Sequence, residues 1–251
     1  VNSFYKRRDC IRAQQNMENG INTVAVYGDS ILKGAITGTD SGQLFEIIAE
    51  NSLALAAKKL CFELNNQSVF GSTAFKTQKR LNRDLNKGLC ADIAIIESGG
   101  NDCDYDWSIV NAAPAAPHEM RTPLQDFMRI MSEMIDTCRV NKITPLVMTM
   151  PPLAAERWFN HISRNADKEN ILQFLGGDYS KLYRNHELYN AHLTELCLKK
   201  NVQIVDMRLA MLEHSDFLSI MCMDGIHPNR NGYRFMADVW IRELPKLKKE
   251  F

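Results

Sequence analysis

Thr23-Val24-Ala25-Val26-Tyr27-Gly28-Asp29-Ser30 is the stretch on which the reading of the fold turns. Its first five residues favour strand, lack the alternation of a half-exposed strand, and run into a glycine. That pattern reads as a strand buried on both faces that feeds a tight turn. Ala91–Ile96 repeats it and runs on to Gly99-Gly100. Ile143–Met150, closed by Pro151-Pro152, and Val202–Met207 read the same way, and Phe62–Phe70 holds one more strand. Helical spacing falls between them, over Leu44–Leu60, Thr77–Lys87, Thr122-Pro123 to about Arg139, Lys181–Lys200 and Gly232–Lys248. Short apolar strands alternating with helices predict an α/β fold around a central parallel five-stranded sheet. Residues 104–123 read as a loop, and residues 153–180 as an excursion near the site with one short helix near Lys168–Leu175. Residues 1–20 read as a polar N-terminal extension. No repeat or linker interrupts the rest, so one domain over residues 1–251 is expected.

Composition narrows the class of function. Thirty Lys and Arg balance thirty Asp and Glu, which gives no basic surface for nucleic acid and no polybasic tract for a membrane. No run is apolar for long enough to insert into a bilayer. The seven cysteines are scattered without C-x-x-C spacing, and Cys61, Cys138 and Cys197 fall in helix-like segments as free thiols. A reducing compartment without a disulfide framework is therefore expected. The polar start carries no signal-type apolar segment, so the expected location is cytoplasmic, with a removed leader left open. Oligomeric state is left open as well.

In open parallel sheets, ligands bind beyond the carboxyl ends of the strands. The unusual segments lie there. Ser30, on a glycine turn after the first strand, can raise its hydroxyl above the sheet edge, although such a serine also reads as a helix cap or turn residue. Met223-Asp224-Gly225-Ile226-His227-Pro228-Asn229 sets Asp and His three apart in a compact loop. A serine hydroxyl is a weak nucleophile until a base takes its proton, and the base needs a third group to hold its tautomer. Asp224 on one imidazole nitrogen and Ser30 on the other would meet both needs; a surface loop with an incidental histidine is the plainer alternative. Gly99-Gly100-Asn101-Asp102 supplies a side-chain amide beside flexible backbone, suited to an oxyanion or simply to a strand-ending turn. Gly71 offers a backbone N–H that a ligand can approach closely. No further His/Cys cluster completes a metal site, and no cofactor is expected.

Together these segments, in the order Ser, Gly, Asn and Asp-x-x-His, resemble the SGNH (GDSL-type) hydrolases. Gly28-Asp29-Ser30 looks like the family's first block, Gly71 fits the second, Gly99-Gly100-Asn101-Asp102 the third, and Asp224-Gly225-Ile226-His227-Pro228-Asn229 the last. The resemblance implies a flavodoxin-like three-layer α/β/α sandwich and metal-free, two-step ester hydrolysis. Ser30 would be the nucleophile, His227 the base and then the acid, and Asp224 its orienting group. Ser30, Gly71 and Asn101 would form the oxyanion hole. Ile31, where the family's name-giving leucine stands, departs from the commonest form, as does the acidic and aromatic run Asp102–Trp107.

The family's substrates range from lipids to glycan esters. Aromatic and polar residues in the loops (Asp29, Trp107, Arg157 and Trp158) suggest a sugar-binding face. The expected reaction is therefore removal of a short acyl group, such as acetyl, from a carbohydrate or other small-molecule ester. A lipase, lysophospholipase or thioesterase on the same residues is the first alternative. A non-catalytic glycan-binding module is the second, and a metal-dependent phosphoesterase using Asp29, Asn101, Asp102 and His227 is the third.

Overall fold

The computed structural model describes residues 20–37 and 45–251. The N-terminal extension, apart from Gly20, thus lies outside the described residues, as do Cys10 and Leu44. Five parallel strands form the central sheet: β1 (Thr23–Tyr27), β4 (Glu63–Asn66), β5 (Ile93–Ile96), β6 (Thr144–Met148) and β7 (Gln203–Val205), in the order β4-β1-β5-β6-β7. Val24 pairs with Leu64 on one side and Ile93 on the other, and Ile95 pairs in turn with Leu146.

Because successive strand residues face opposite ways, each central strand feeds two cores. Val24, Val26, Ile93 and Ile95 pack with Leu53, Tyr233, Met236 and Trp240 on one face. Helices α2 (Ser52–Leu60) and α10 (Arg230–Glu243) cover that face. Ala25, Tyr27, Ala94 and Ile96 pack with Leu81, Phe127, Met131 and Tyr189 on the other. That face lies beneath α3 (Ala74–Asn86), α5 (Leu124–Val140) and α8 (Ser180–Lys200). The result is the expected α/β/α sandwich. A third cluster, built on Tyr105, Val110, Leu153, Phe159, Ile171 and Leu182, packs the excursion against residues 105–120 and the start of α8.

Several local expectations change. Phe45–Ile47 is not helix but strand β3, paired antiparallel with β2 (Ala35–Thr37). The helix begins only where the Asn51 side chain accepts the Ala54 N–H at 3.0 Å. The supposed loop 104–123 contains α4 (Trp107–Ala112), capped by Asp106. The excursion holds two helices, α6 (Ala155–Ile162) and α7 (Lys168–Phe174), and a further short helix, α9 (Met207–Leu212), follows β7. Pro123 caps α5 rather than occupying its first turn. Cys61 is disulfide-bonded, contrary to the expected free thiol. It stands at the left-handed end of α2 (φ 61°), outside the packed helix interior. Cys90, Cys103, Cys138, Cys197 and Cys222 are free. Among the described residues, no helix is long and apolar enough to cross a membrane.

Candidate active site

Strand order reverses between β1 and β5: the chain leaves β1 for β4 on one side, then returns to β5 on the other. The turns after these two neighbouring strands therefore open a crevice above the sheet. Ser30 starts α1 (Ser30–Lys33), a single turn whose cap, Asp29, accepts the Ile31 N–H at 2.8 Å. Asn101 stands beyond β5, and its amide donates to Asp29 Oδ2 at 2.9 Å. Asp29 thereby ties the two turns together.

The third piece comes from the far end of the chain. The loop before α10 is folded on itself: Asp224 Oδ1 accepts the backbone N–H groups of Ile226 and His227 at 3.0 and 3.1 Å. Gly225 has φ +81°, and a Cβ there would stand 2.6 Å from the Ala154 carbonyl, so no side chain fits this bend. With the loop so closed, Asp224 Oδ2 meets His227 Nδ1 at 2.6 Å, and His227 Nε2 meets Ser30 Oγ at 2.8 Å. Ser30, Asp224 and His227 are 6%, 0% and 2% exposed, so bulk water competes little for these bonds. Burial alone would raise the Asp224 carboxyl, but hydrogen bonds and the charge of His227 outweigh it and hold its pKa below the ordinary value. An acceptor that stays ionised fixes the imidazole with Nδ1–H toward Asp224 and leaves Nε2 to take a proton from Ser30.

Hydrogen-bond donors share the cavity with the hydroxyl. Gly71, Gly100 and Asn101 line the same cavity as Ser30 and His227. Among the described residues, the backbone N–H groups of Ser30 and Gly71 have no hydrogen-bond acceptor. Arg80 holds these segments in place, donating to the carbonyls of Gln67 and Gly28 and, at 2.9 Å, to Ser72 Oγ beside Gly71.

Under the site lies a carboxyl that sequence reading passed over. Glu97 is 1% exposed and accepts the Asp29 N–H at 3.0 Å. Burial, then the Asp29 charge, pushes its pKa well above the usual carboxylate range. Burial also raises Asp29, against the pull of the Ile31 N–H and of His227. The available signal was a lone acid directly after the apolar run Ile93–Ile96.

The cavity measures ≈ 250 Å³. Trp158 lines it and stacks on His161 at 5.2 Å, while Phe70 stacks on His227 at 5.9 Å and Phe45 meets that ring edge-on at 5.2 Å. Asp29 lines the cavity too, with both oxygens already engaged. Trp107 and Arg157, expected at the substrate, do not line it. The Trp107 indole N–H goes to Asp104 at 2.8 Å and its ring packs on Tyr105 and Phe174. Arg157 Nη1 donates to the carbonyls of Leu218, Met221 and Cys222, bracing the loop that carries Asp224. Asp102, the acid proposed for a metal, turns both oxygens to the Ala74 N–H at the start of α3. Among the described residues, no group of three or more His, Cys, Asp or Glu side chains is placed to hold a metal ion. Phe45, Phe70, His161, Leu182, Asn185, His186 and Ile226 join the lining without a motif to announce them.

Similar proteins share this architecture. The lipase/acylhydrolase of Enterococcus faecalis superposes with a TM-score of 0.60 at 18% identity, covering 92% of this chain and 100% of that one. The esterase EstA of Pseudoalteromonas sp. gives 0.56 at 16%, covering 90% and 97%. An acetyl-xylooligosaccharide esterase from Geobacillus Stearmophilus gives 0.61 at 16%, covering 91% and 96%. No curated protein matches the sequence. The sequence model of the GDSL-like lipase/acylhydrolase family matches residues 26–235, a span that takes in Ser30, Asn101 and the Asp224–His227 loop, and the chain belongs to that family of serine ester hydrolases.

Proposed function

We propose that the protein removes a short acyl group, acetyl above all, from a hydroxyl of a carbohydrate, with Ser30 as nucleophile. The observation that carries the chemistry is the buried chain from Ser30 Oγ through His227 to Asp224, at 2.8 and 2.6 Å. His227 takes the Ser30 proton as Oγ adds to the acyl carbon. The resulting oxyanion lies toward the N–H groups of Ser30 and Gly71 and the Asn101 amide. His227 then returns the proton to the departing alcohol. Water, deprotonated by the same imidazole, hydrolyses the acyl-enzyme in the second step. Oxyanion donors of this kind contribute roughly 10²–10³ in rate each.

A short acyl group is supported by the modest cavity, ≈ 250 Å³, with Phe45, Phe70 and Trp158 in its lining. A carbohydrate leaving group is supported by polar residues in its lining, Asp104, Arg121, Asn185 and His186, and by the fold likeness to an enzyme named for acetyl-xylooligosaccharides. A second reading, hydrolysis of longer lipid or thioester acyl groups, is favoured by the apolar part of the lining, Leu153, Leu182 and Ile226. Hydrolysis of p-nitrophenyl esters from acetate to octanoate, wild type beside Ser30→Ala, separates the readings. The expected result is turnover highest with acetate, falling with chain length, and abolished in Ser30→Ala. A profile that rises toward octanoate would transfer the assignment to the lipid reading. Turnover surviving in Ser30→Ala would remove Ser30 from its role. No turnover of any ester by the wild type would point instead to a binding module.

A further inference from the structure

His186 belongs to none of the sequence blocks, yet it is built into the cavity with unusual constraint. It lies on α8, is 8% exposed, and lines the same cavity as Ser30 and His227. Its Nδ1 stands 3.2 Å from Arg208 Nη1. A guanidinium only donates, so Nδ1 must be the acceptor and the ring proton must sit on Nε2. Arg208 is itself held fast: the same Nη1 donates to the Met150 carbonyl at 3.2 Å, Nη2 pairs with Glu187, and its backbone N–H donates to Thr149 Oγ1 at 2.9 Å. Burial, then the Arg208 charge, lowers the His186 pKa to about 3, so the ring stays neutral and the tautomer does not change near neutrality.

The Nε2–H has no acceptor among the described residues. Nor is it one of the sealed, unpartnered polar atoms of the interior, a set that includes Arg208 Nε and Trp240 Nε1. It is therefore a fixed donor that keeps some accessible surface, on a residue that lines the cavity. Asp104, also in the lining, keeps lone pairs for a hydroxyl proton beside the Trp107 indole N–H at 2.8 Å and the Arg121 guanidinium at 3.6 Å.

We propose that His186 is a specificity-determining residue that donates through Nε2–H to a hydroxyl oxygen of the ester substrate, so that the enzyme prefers hydroxylated esters to otherwise equal plain ones. This rests on the ester-hydrolase reading of Ser30 and adds which substrate class the cavity selects. The hydroxyl can belong to the leaving alcohol, as in a partly acetylated sugar, or to the acyl group, as in a hydroxy acid.

The test compares kcat and KM for two matched pairs in wild type, His186→Phe and His186→Gln. Cyclohexyl acetate against 2-acetoxycyclohexanol reads the alcohol side, and ethyl butyrate against ethyl 3-hydroxybutyrate reads the acyl side. One neutral hydrogen bond predicts a wild-type preference of about 3–10-fold for the hydroxylated member of one pair, carried mainly by KM. His186→Phe should abolish that preference, read within the variant as the ratio of kcat/KM between the two members of the pair. His186→Gln, which keeps both a donor and an acceptor for Arg208, should restore part of it. Circular dichroism and thermal melts of both variants beside the wild type are the control for folding. No preference in either pair, or a preference that survives in His186→Phe, overturns the proposal. If the wild type cleaves none of the four esters, the ester-hydrolase reading fails and this inference fails with it.

Discussion

Asp29 and Glu97 lie one behind the other next to Ser30, and the charge they carry bears on how Asn101 is presented. Asp29 can orient the Asn101 amide only as an acceptor, and it does so at 2.9 Å. A second ionised carboxylate behind it, with both groups buried, would be strongly unfavourable, because like charges in a poorly solvated site push one group to its neutral form. The raised pKa of Glu97 marks it as the neutral member. Glu97→Gln is isosteric with that neutral acid and should keep kcat/KM within about three-fold, whereas Glu97→Ala strips the acceptor from the Asp29 N–H and should lower kcat/KM about ten-fold or more. Steady-state kinetics between pH 6 and 8 would check both variants. Equal damage from Gln and Ala would mean that the ionised glutamate is needed. At this scale, the legible residues were those whose chemistry is local in sequence. Asp224 and His227 sit three apart around a glycine whose bend only glycine tolerates, and Ser30 and Asn101 each follow a strand. Glu97, His161 and His186 reach the site through the packing of β5, α6 and α8, and no spacing within one segment announces that.

Elements place these residues, and the loop before α10 depends on more than its own bonds. Arg157, on α6, reaches across to three consecutive-turn carbonyls, those of Leu218, Met221 and Cys222, with the closest at 2.9 Å. The Cys222 N–H in turn donates to the His227 carbonyl at 2.8 Å, so the brace reaches His227 through one residue. Arg157→Ala should therefore lower kcat with KM little changed and cost about 1–3 kcal/mol in stability, since the part-buried carbonyls of Met221 and Cys222 lose a charged donor. Thermal or urea unfolding alongside kinetics with p-nitrophenyl acetate would test this. A rise in KM alone, at unaltered stability, would return Arg157 to substrate binding, where sequence reading had put it. The same contrast runs through the secondary structure. β1, β5 and β6 were legible because a strand buried on both faces needs an unbroken apolar run, and their sequences supply one. β3 was not, because Phe45, Ile47 and Ile48 also fit a helical stripe continuing into α2; only pairing with β2 makes 45–47 extended, and Asn51 marks the true helix start.

Across the whole molecule, the sheet's carboxyl edge gathers acids whose burial makes stability depend on pH in an unusual direction. Asp102 is fully buried, with both oxygens on the Ala74 N–H, and burial raises its pKa from 3.8 to about 6 despite the pull of Thr122 and Ala74. A carboxyl that ionises later in the folded state than in the unfolded chain favours folding while it is protonated. Its contribution is complete below pH 3.8, is lost as pH rises toward about 6, and is constant above that. The size of that raise corresponds to about 3 kcal/mol. Burial raises Asp104 to about 6 as well, and Asp29 and Glu97 upward, so these groups add slopes of the same sign. Asp92 and Asp178, both lowered to about 2 in the balance of their partners, lose stability only as the solution becomes strongly acidic, below this window. Asp102→Asn cannot ionise and keeps an oxygen for the Ala74 N–H. Its stability relative to wild type should therefore improve steadily from pH 4 to 6.5 and then stay level. Thermal melts of both proteins at half-unit steps across that window would show the two curves diverging. Parallel curves would mean that Asp102 stays ionised in the folded protein throughout, held by the start of α3 more strongly than burial opposes it.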